Sequence, residues 1–392
     1  MVRTSLRQGM TAIVLRRCGR TGGDSRQGGG CVECAVFPGK LDLELPPEAD
    51  SGYFPRVHDG WEPGTIELEA TGEVQEGLHA RAAAVAAARF GRNVFVRGVV
   101  EVSNFCRENC HYCGMRRDNR DLERFRASYE GLAELLVHQR PASMTDVNIQ
   151  AGEDPVAARE LVLPLVRTLR RETPLGVSVC LGTLSKDLTE ALKEAGATTY
   201  IIKFELADPA LYKALQAPGT LAERVAHIRW LAEQGWKVSS GFIAGLPGQD
   251  VASWRGNLRM ATDLPLIGCS VSPFVPGEAT PLSGAVGEGI DRTLNTMAVL
   301  RLLRPDWVIP AVSALNLAEP GMGYRRGLRT GANLCTINLT PGDVRGDYLL
   351  YRRDRFIMNE ERILQAIADE GRVPSERSLA AHLETTGRGV QP

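Results

Sequence analysis

The chain has 392 residues, enough to bury a full core and about right for one large domain with additions. Its 46 Lys+Arg against 47 Asp+Glu leave no global field of the kind that nucleic acid or an anionic membrane would exploit, so a small, internally bound substrate fits better. Hydrophobic residues make up 43%, yet no apolar run approaches the roughly 18–20 residues of a membrane span, and nine cysteines, three of them clustered, do not read as a secreted disulfide framework; a soluble, cytoplasmic protein is expected.

In chain order, residues 1–55 read as a low-order extension, rich in Arg and Gly and then in Pro, without periodicity. Thr11–Leu15 is too short, and too closely followed by Arg16 and Arg17, to be a signal-peptide core. Cys31 and Cys34 have the spacing of a metal or redox pair and could supply part of a second cluster, but two further ligands are not apparent nearby, so an inert extension is expected. Residues 56–93 form a lead-in with a helix near 78–90 stopped by Gly91.

From there strands and helices alternate, the pattern of a parallel sheet. Strands are expected at 98–103, 146–151, 177–181, 199–205, 237–243, 267–274, 308–312 and 334–339, with helices near 128–139, 156–172, 186–195, 220–234, 250–263, 289–304 and 322–330. Eight units, with candidate functional motifs at successive strand ends, favour a complete (β/α)8 TIM-type barrel over 94–345 rather than an open doubly wound sheet. Residues 346–392 would close it with a helical segment and tail.

The most informative stretch is Asn104–Gly114, which holds Cys106, Cys110 and Cys113. Three thiolates with gaps of three and two residues can hold three corners of a cubic iron-sulfur cluster, leaving one iron open, whereas structural sites are normally closed by four ligands. Core packing, or half of a zinc site, is the bland alternative. Position argues against it, since the cysteines directly follow an apolar strand at the end where barrels build active sites.

This stretch resembles the radical S-adenosylmethionine (SAM) superfamily. The resemblance implies that these cysteines hold a 4Fe-4S cluster, that the open iron chelates the amine and carboxylate of SAM, and that an electron from the cluster cleaves SAM to methionine and a 5′-deoxyadenosyl radical. It places Tyr112 beside the adenine, while His111 reads as an exposed loop residue rather than a fourth ligand. Gly152 and Glu153, in Ala151–Pro155, match the family's Gly-Glu-Pro turn and would hold the SAM ammonium, although Asp154 and Pro155 also read as an ordinary helix cap.

Lys203 and Glu205 fall on one strand face, where a charged pair aimed into a barrel is costly unless paired or used. The resemblance assigns Glu205 to the ribose hydroxyls or amino group of SAM and Lys203 to its carboxylate. Arg224 is similarly placed, or else faces solvent from its helix. Gly241, Ile243 and Gly245 match the family's Gly-x-Ile-x-Gly adenine segment. Asn333 and Asn338 could line the cavity or anchor turns.

Over about 95–345 the motifs resemble the biotin-synthase-like group, and within it most resemble the iron-iron hydrogenase maturase HydE and methylornithine synthase. Lys203 in place of an expected arginine, and Val312-Ser313 in the pocket, point to another substrate. Implied partners are a small-molecule substrate and an external one-electron reductant such as flavodoxin or ferredoxin. Two rivals stand beside this reading: sulfur insertion at a second cluster, for which Cys180, Cys269 and Cys335 would have to converge, and a non-catalytic iron-sulfur carrier. A zinc-dependent nucleic-acid module would need four closed ligands and a basic face, which the sequence lacks.

Overall fold

The computed structural model describes residues 64–386; the expected extension over 1–55, with Cys31 and Cys34, lies outside them. Seven parallel strands form the main sheet: β1 (Asn93–Ser103), β2 (Asp146–Ala151), β3 (Gly176–Cys180), β4 (Thr199–Ile201), β5 (Lys237–Ala244), β6 (Gly268–Pro273) and β7 (Leu334–Asn338). Their order is β6-β5-β4-β3-β2-β1-β7, and a two-residue β8 (Val373–Pro374) pairs with the start of β1. Residues of β1, β4, β6 and β7 line one common cavity, so the sheet is curled.

The complete eight-stranded barrel expected from the sequence is not what the sheet shows. Over 308–312 there is no strand, only single bridges, Val308 with Gly268 and Pro310 with Leu334. Pro310 has no N–H to donate, so a ladder cannot extend through it. β4 also stops early, at Ile201; beyond it Glu205 turns to φ +66 and meets β5 through a bridge to Phe242.

Side chains alternate along each strand, and the two faces differ sharply. Outward residues such as Val96, Val100, Val147, Ile149, Val179, Val238 and Val271 are fully buried against Leu136, Leu165, Leu192, Ile228 and Leu294 of the surrounding helices. Each such side chain contributes roughly 1.5–3 kcal/mol when removed from water. The inward set, by contrast, is polar: Arg97 and Glu101 on β1, Asn148 and Gln150 on β2, Ser270 and Ser272 on β6, Thr336 and Asn338 on β7. The core therefore lies between strands and helices, and the interior is a chamber.

Most expected helices form within a residue or two, as in Lys186–Glu194, which buries Leu188 and Leu192 and is followed by Gly196 at φ +113. The helix expected over 156–172 carries a π segment at Ala158–Val162, because Pro164 cannot supply the N–H that a regular ladder needs. At the chamber floor, Asp146 accepts the N–H groups of Leu379 (2.7 Å) and Ala380 (3.1 Å), capping the final helix Leu379–Thr386. Burial pushes the Asp146 carboxyl up. No described helix is long and apolar enough to cross a membrane.

Candidate functional site

The cysteine loop leaves the end of β1 and presses on the end of β2. Gly152 makes this possible: a Cβ there would sit 2.2 Å from the Phe105 carbonyl oxygen and 2.9 Å from the Cys106 Cβ. Across the contact the Glu153 N–H donates to Cys106 Sγ at 3.4 Å, and Arg107 N–H donates to the Glu153 carbonyl at 3.2 Å. The next residue, Asp154, caps its helix through Val156 N–H and also accepts from Ser103 Oγ (2.7 Å) and Arg126 Nε (2.7 Å). The turn is thus a helix cap and a clamp on the loop at once.

Cys106, Cys110 and Cys113 open together on a cavity of roughly 230 Å³, whose wall also includes Tyr112, Glu153, Lys203, Glu205, Arg224 and Ile243. Burial pushes all three thiols up, Cys113 to about 12, so taking up iron as thiolates must release protons. Among the described residues no three His, Cys, Asp or Glu side chains converge on a single metal ion. Three thiols on one loop suit a cubane, which spreads its ligands over separate irons.

Glu153 and Arg224 form a buried pair, Arg224 Nη2 donating to Glu153 Oε1 at 2.7 Å, with Arg107 Nη2 on the other oxygen at 3.2 Å. Arg224, 4% exposed, is therefore not a solvent-facing helix residue, and its buried Nε has no partner. Burial alone would lower its pKa, but Glu153 and Tyr212 more than offset that and hold it raised. Lys203 and Glu205 share the cavity face; Lys203 Nζ donates to Ser272 Oγ at 3.0 Å. The Glu205 carboxylate finds no hydrogen-bond donor among the described residues, and burial raises its pKa against the pull of Lys203 and Arg224. A non-glycine residue at φ +66 with such a carboxylate is the kind of strain that collects at functional sites.

Other expected residues fall differently. Ile243 faces the cavity; Gly241, two residues earlier on the same face of β5, lies close against β6, where a Cβ would meet Ser270 Oγ at 2.1 Å. Gly245, at φ +83, turns the chain and donates to Gln249 Oε1. Tyr112 packs with Cys110, and its buried hydroxyl lacks a partner of ordinary geometry. His111 bonds through its main chain to the Leu215 carbonyl. Asn333 anchors a turn, accepting from Arg301 Nη2 and Ile309 N–H, while Asn338 lines the chamber.

A second compartment, roughly 180 Å³, continues downward and shares Gln150, Cys180, Ile201, Lys203, Leu350 and Tyr351 with the first. Of the three scattered cysteines only Cys180 faces it. Cys269 and Cys335, each 0% exposed, point outward into the apolar layer, so the three do not converge. The sequence reading missed Arg97, Glu101, Tyr351 and Arg355. Arg355 reaches β1 from beyond the expected barrel boundary and holds Glu101 through both carboxylate oxygens at 2.9 and 3.0 Å. Arg97 and Glu101, four apart in an otherwise apolar run, were the available signal.

The profile of the Radical SAM superfamily matches residues 100–261. The [FeFe] hydrogenase maturase subunit HydE of Thermotoga maritima is 33% identical over 261 residues, 67% of this chain and 74% of that protein. A 3-methylornithine synthase of Methanosarcina barkeri is 30% identical over 308 residues, 76% of this chain and 86% of that one. The crystal structure of methylornithine synthase (PylB) superposes with a TM-score of 0.74 at 25% identity, covering 84% of this chain and 98% of that one. With the cysteine loop, the strand-end carboxylates and the curled parallel sheet in place, these likenesses show that the chain belongs to the radical SAM superfamily of enzymes, close to HydE and methylornithine synthase.

Proposed function

We propose that the chain cleaves S-adenosylmethionine reductively and directs the resulting radical at a small molecule held in the lower compartment. The observation that carries this reading is the direct opening of the cysteine compartment onto a polar-walled chamber, with Lys203, Cys180 and Tyr351 at the junction. An iron-sulfur carrier would have no use for such a chamber.

The residues present fit the cofactors. Three thiols open to a cavity suit a cluster with one free iron, and the unpartnered Glu205 carboxylate and Arg224 Nε suit a ligand that carries both an ammonium and a carboxylate. When bound, the 4Fe-4S cluster and SAM supply a one-electron cleavage and a 5′-deoxyadenosyl radical. Tyr112, Gly152, Glu153, Lys203, Glu205, Arg224 and the Gly241–Gly245 turn would orient SAM, Glu153 largely through its backbone, since its carboxylate is committed to two guanidiniums. Tyr348, Leu350 and Tyr351 also line the cavity and would help to exclude water. The bridges at Val308 and Pro310 would close the sheet into a barrel, giving the domain 94–345 a continuous wall.

An external one-electron donor is required, and a cytoplasmic setting would keep the thiols reduced. A substrate with an acidic group suits a wall that presents Arg97, Lys203 and Asn148. Sulfur insertion from a cluster held by Cys180, Cys269 and Cys335 is disfavoured by their divergent faces. Anaerobic reconstitution with iron and sulfide, followed by assay for 5′-deoxyadenosine with SAM and dithionite, tests the reading. Formation in the wild type and none in Cys106→Ala supports it; an iron-loaded wild type that leaves SAM intact sinks it.

A further inference from the structure

The segment that carries the cysteines, from Asn104 to Phe125, contains neither helix nor strand, and its ladder pairing is confined to its base, at the bridge between Ser103 and Arg126. Something other than a ladder must fix its shape. Two side chains do so reciprocally. From the first end, fully buried Asn104 accepts Phe125 N–H on Oδ1 at 2.8 Å and donates through Nδ2 to the carbonyls of Glu123 (2.7 Å) and Asp347 (2.8 Å). From the other end, Arg124 reaches back: Nη1 donates to the carbonyls of Asn104 (2.5 Å) and Met115 (2.9 Å), and Nη2 to those of Arg116 (2.8 Å) and Asn119 (3.2 Å). One planar guanidinium thus pins four points of the loop, a task that a lysine ammonium with three donors on a flexible stem cannot match.

All four acceptors are neutral carbonyls. Among the described residues no carboxylate pairs with Arg124, and three of the carbonyls it holds, those of Asn104, Met115 and Arg116, lie two to three residues from Cys106 and Cys113. A half-buried guanidinium without a counter-ion is expensive, unless the missing negative charge arrives with the ligand of the loop. A cluster held by three thiolates brings that charge. Because reduction adds a further negative charge, a nearby cation favours the reduced form.

We propose that Arg124 is the positioning residue of the cysteine loop and that its unneutralised charge makes the bound cluster easier to reduce. This rests on the reading of Cys106, Cys110 and Cys113 as cluster ligands. It gives a non-ligand residue 11 positions past Cys113 a role in electron entry.

The test compares wild type, Arg124→Lys and Arg124→Gln after anaerobic reconstitution, by redox titration followed by electron paramagnetic resonance, and measures amide hydrogen exchange over 104–125 in the iron-free proteins. Arg124→Gln should show a roughly tenfold lower reduced fraction at fixed potential, about 59 mV for one electron. Arg124→Lys should keep the wild-type potential yet lose the slow exchange of Phe125 N–H. A Gln variant at the wild-type potential, or a Lys variant shifted as far as Gln, overturns the charge role. Should Gln take up no iron, the Lys variant decides: wild-type exchange there overturns the positioning role, and fast exchange with an unshifted potential sustains the proposal. An iron-free wild type would instead sink the ligand reading itself.

Discussion

Glu153 and Arg224, 71 positions apart, meet in a buried ion pair of 2.7 Å that ties the turn after β2 to the helix Leu221–Glu233 beside the cysteine compartment. Removing Arg224 leaves the buried Glu153 carboxylate with only the half-exposed Arg107 as its partner. Arg224→Met should therefore cost about 3–5 kcal/mol by chemical denaturation, and Glu153→Gln in the same chain should recover part of it. Additive losses in the double variant would show that the pair is not the source of the coupling.

Gly152→Ala places a methyl group against the Phe105 carbonyl and Cys106. The loop must retreat, at a cost of about 1–3 kcal/mol, and iron uptake on reconstitution should fall with it. Iron content and melting temperature equal to wild type would mean the loop does not need that approach.

The cysteines divide by face. Cys106→Ala, Cys110→Ala and Cys113→Ala should each abolish the iron-sulfur absorbance, whereas Cys269→Ala and Cys335→Ala, in the apolar outer layer, should cost about 1 kcal/mol of stability and leave iron per chain unchanged.

His227 supplies a pH dependence. Burial, and secondarily Arg224, depress its pKa to about 4 from the ordinary 6.5. A histidine depressed in the folded state contributes stability that is present above 6.5 and lost as pH falls toward 4, because the unfolded chain takes up the proton first. The iron-free protein should lose stability across that window with a slope approaching one proton, and His227→Gln should flatten it. An unchanged slope in the variant would assign the loss to other groups.

Arg355→Gln leaves Glu101, 2% exposed, without its bidentate partner 254 positions away. Stability should fall by about 3 kcal/mol, and exchange should quicken over 346–356, the stretch that brings Tyr348 and Tyr351 to the cavity.

Much of this site was legible because its signals are local. Cys106, Cys110 and Cys113 follow one strand, Gly152 and Glu153 follow the next, and Lys203 and Glu205 share a face by alternation alone. What was not legible was of two kinds. Val308–Val312 has the composition of a strand, but a single missing N–H at Pro310 stops the ladder, and that loss outweighs propensity. Gly241 matched a motif, but its close approach to Ser270 is a cross-strand contact that spacing cannot reveal. Arg355 was out of reach for the same reason, since nothing near it in the chain announces Glu101.

The polar inner wall has a consequence for how such a chain can change. Because most of the apolar layer that holds the strands to their helices lies outside the sheet, exchanges at Asn148 or Thr336 alter what the chamber recognises at small cost to the scaffold. Divergence among kin can then accumulate on the inward positions of every strand at little expense to folding, and a new reactant calls for a relined room rather than a rebuilt house.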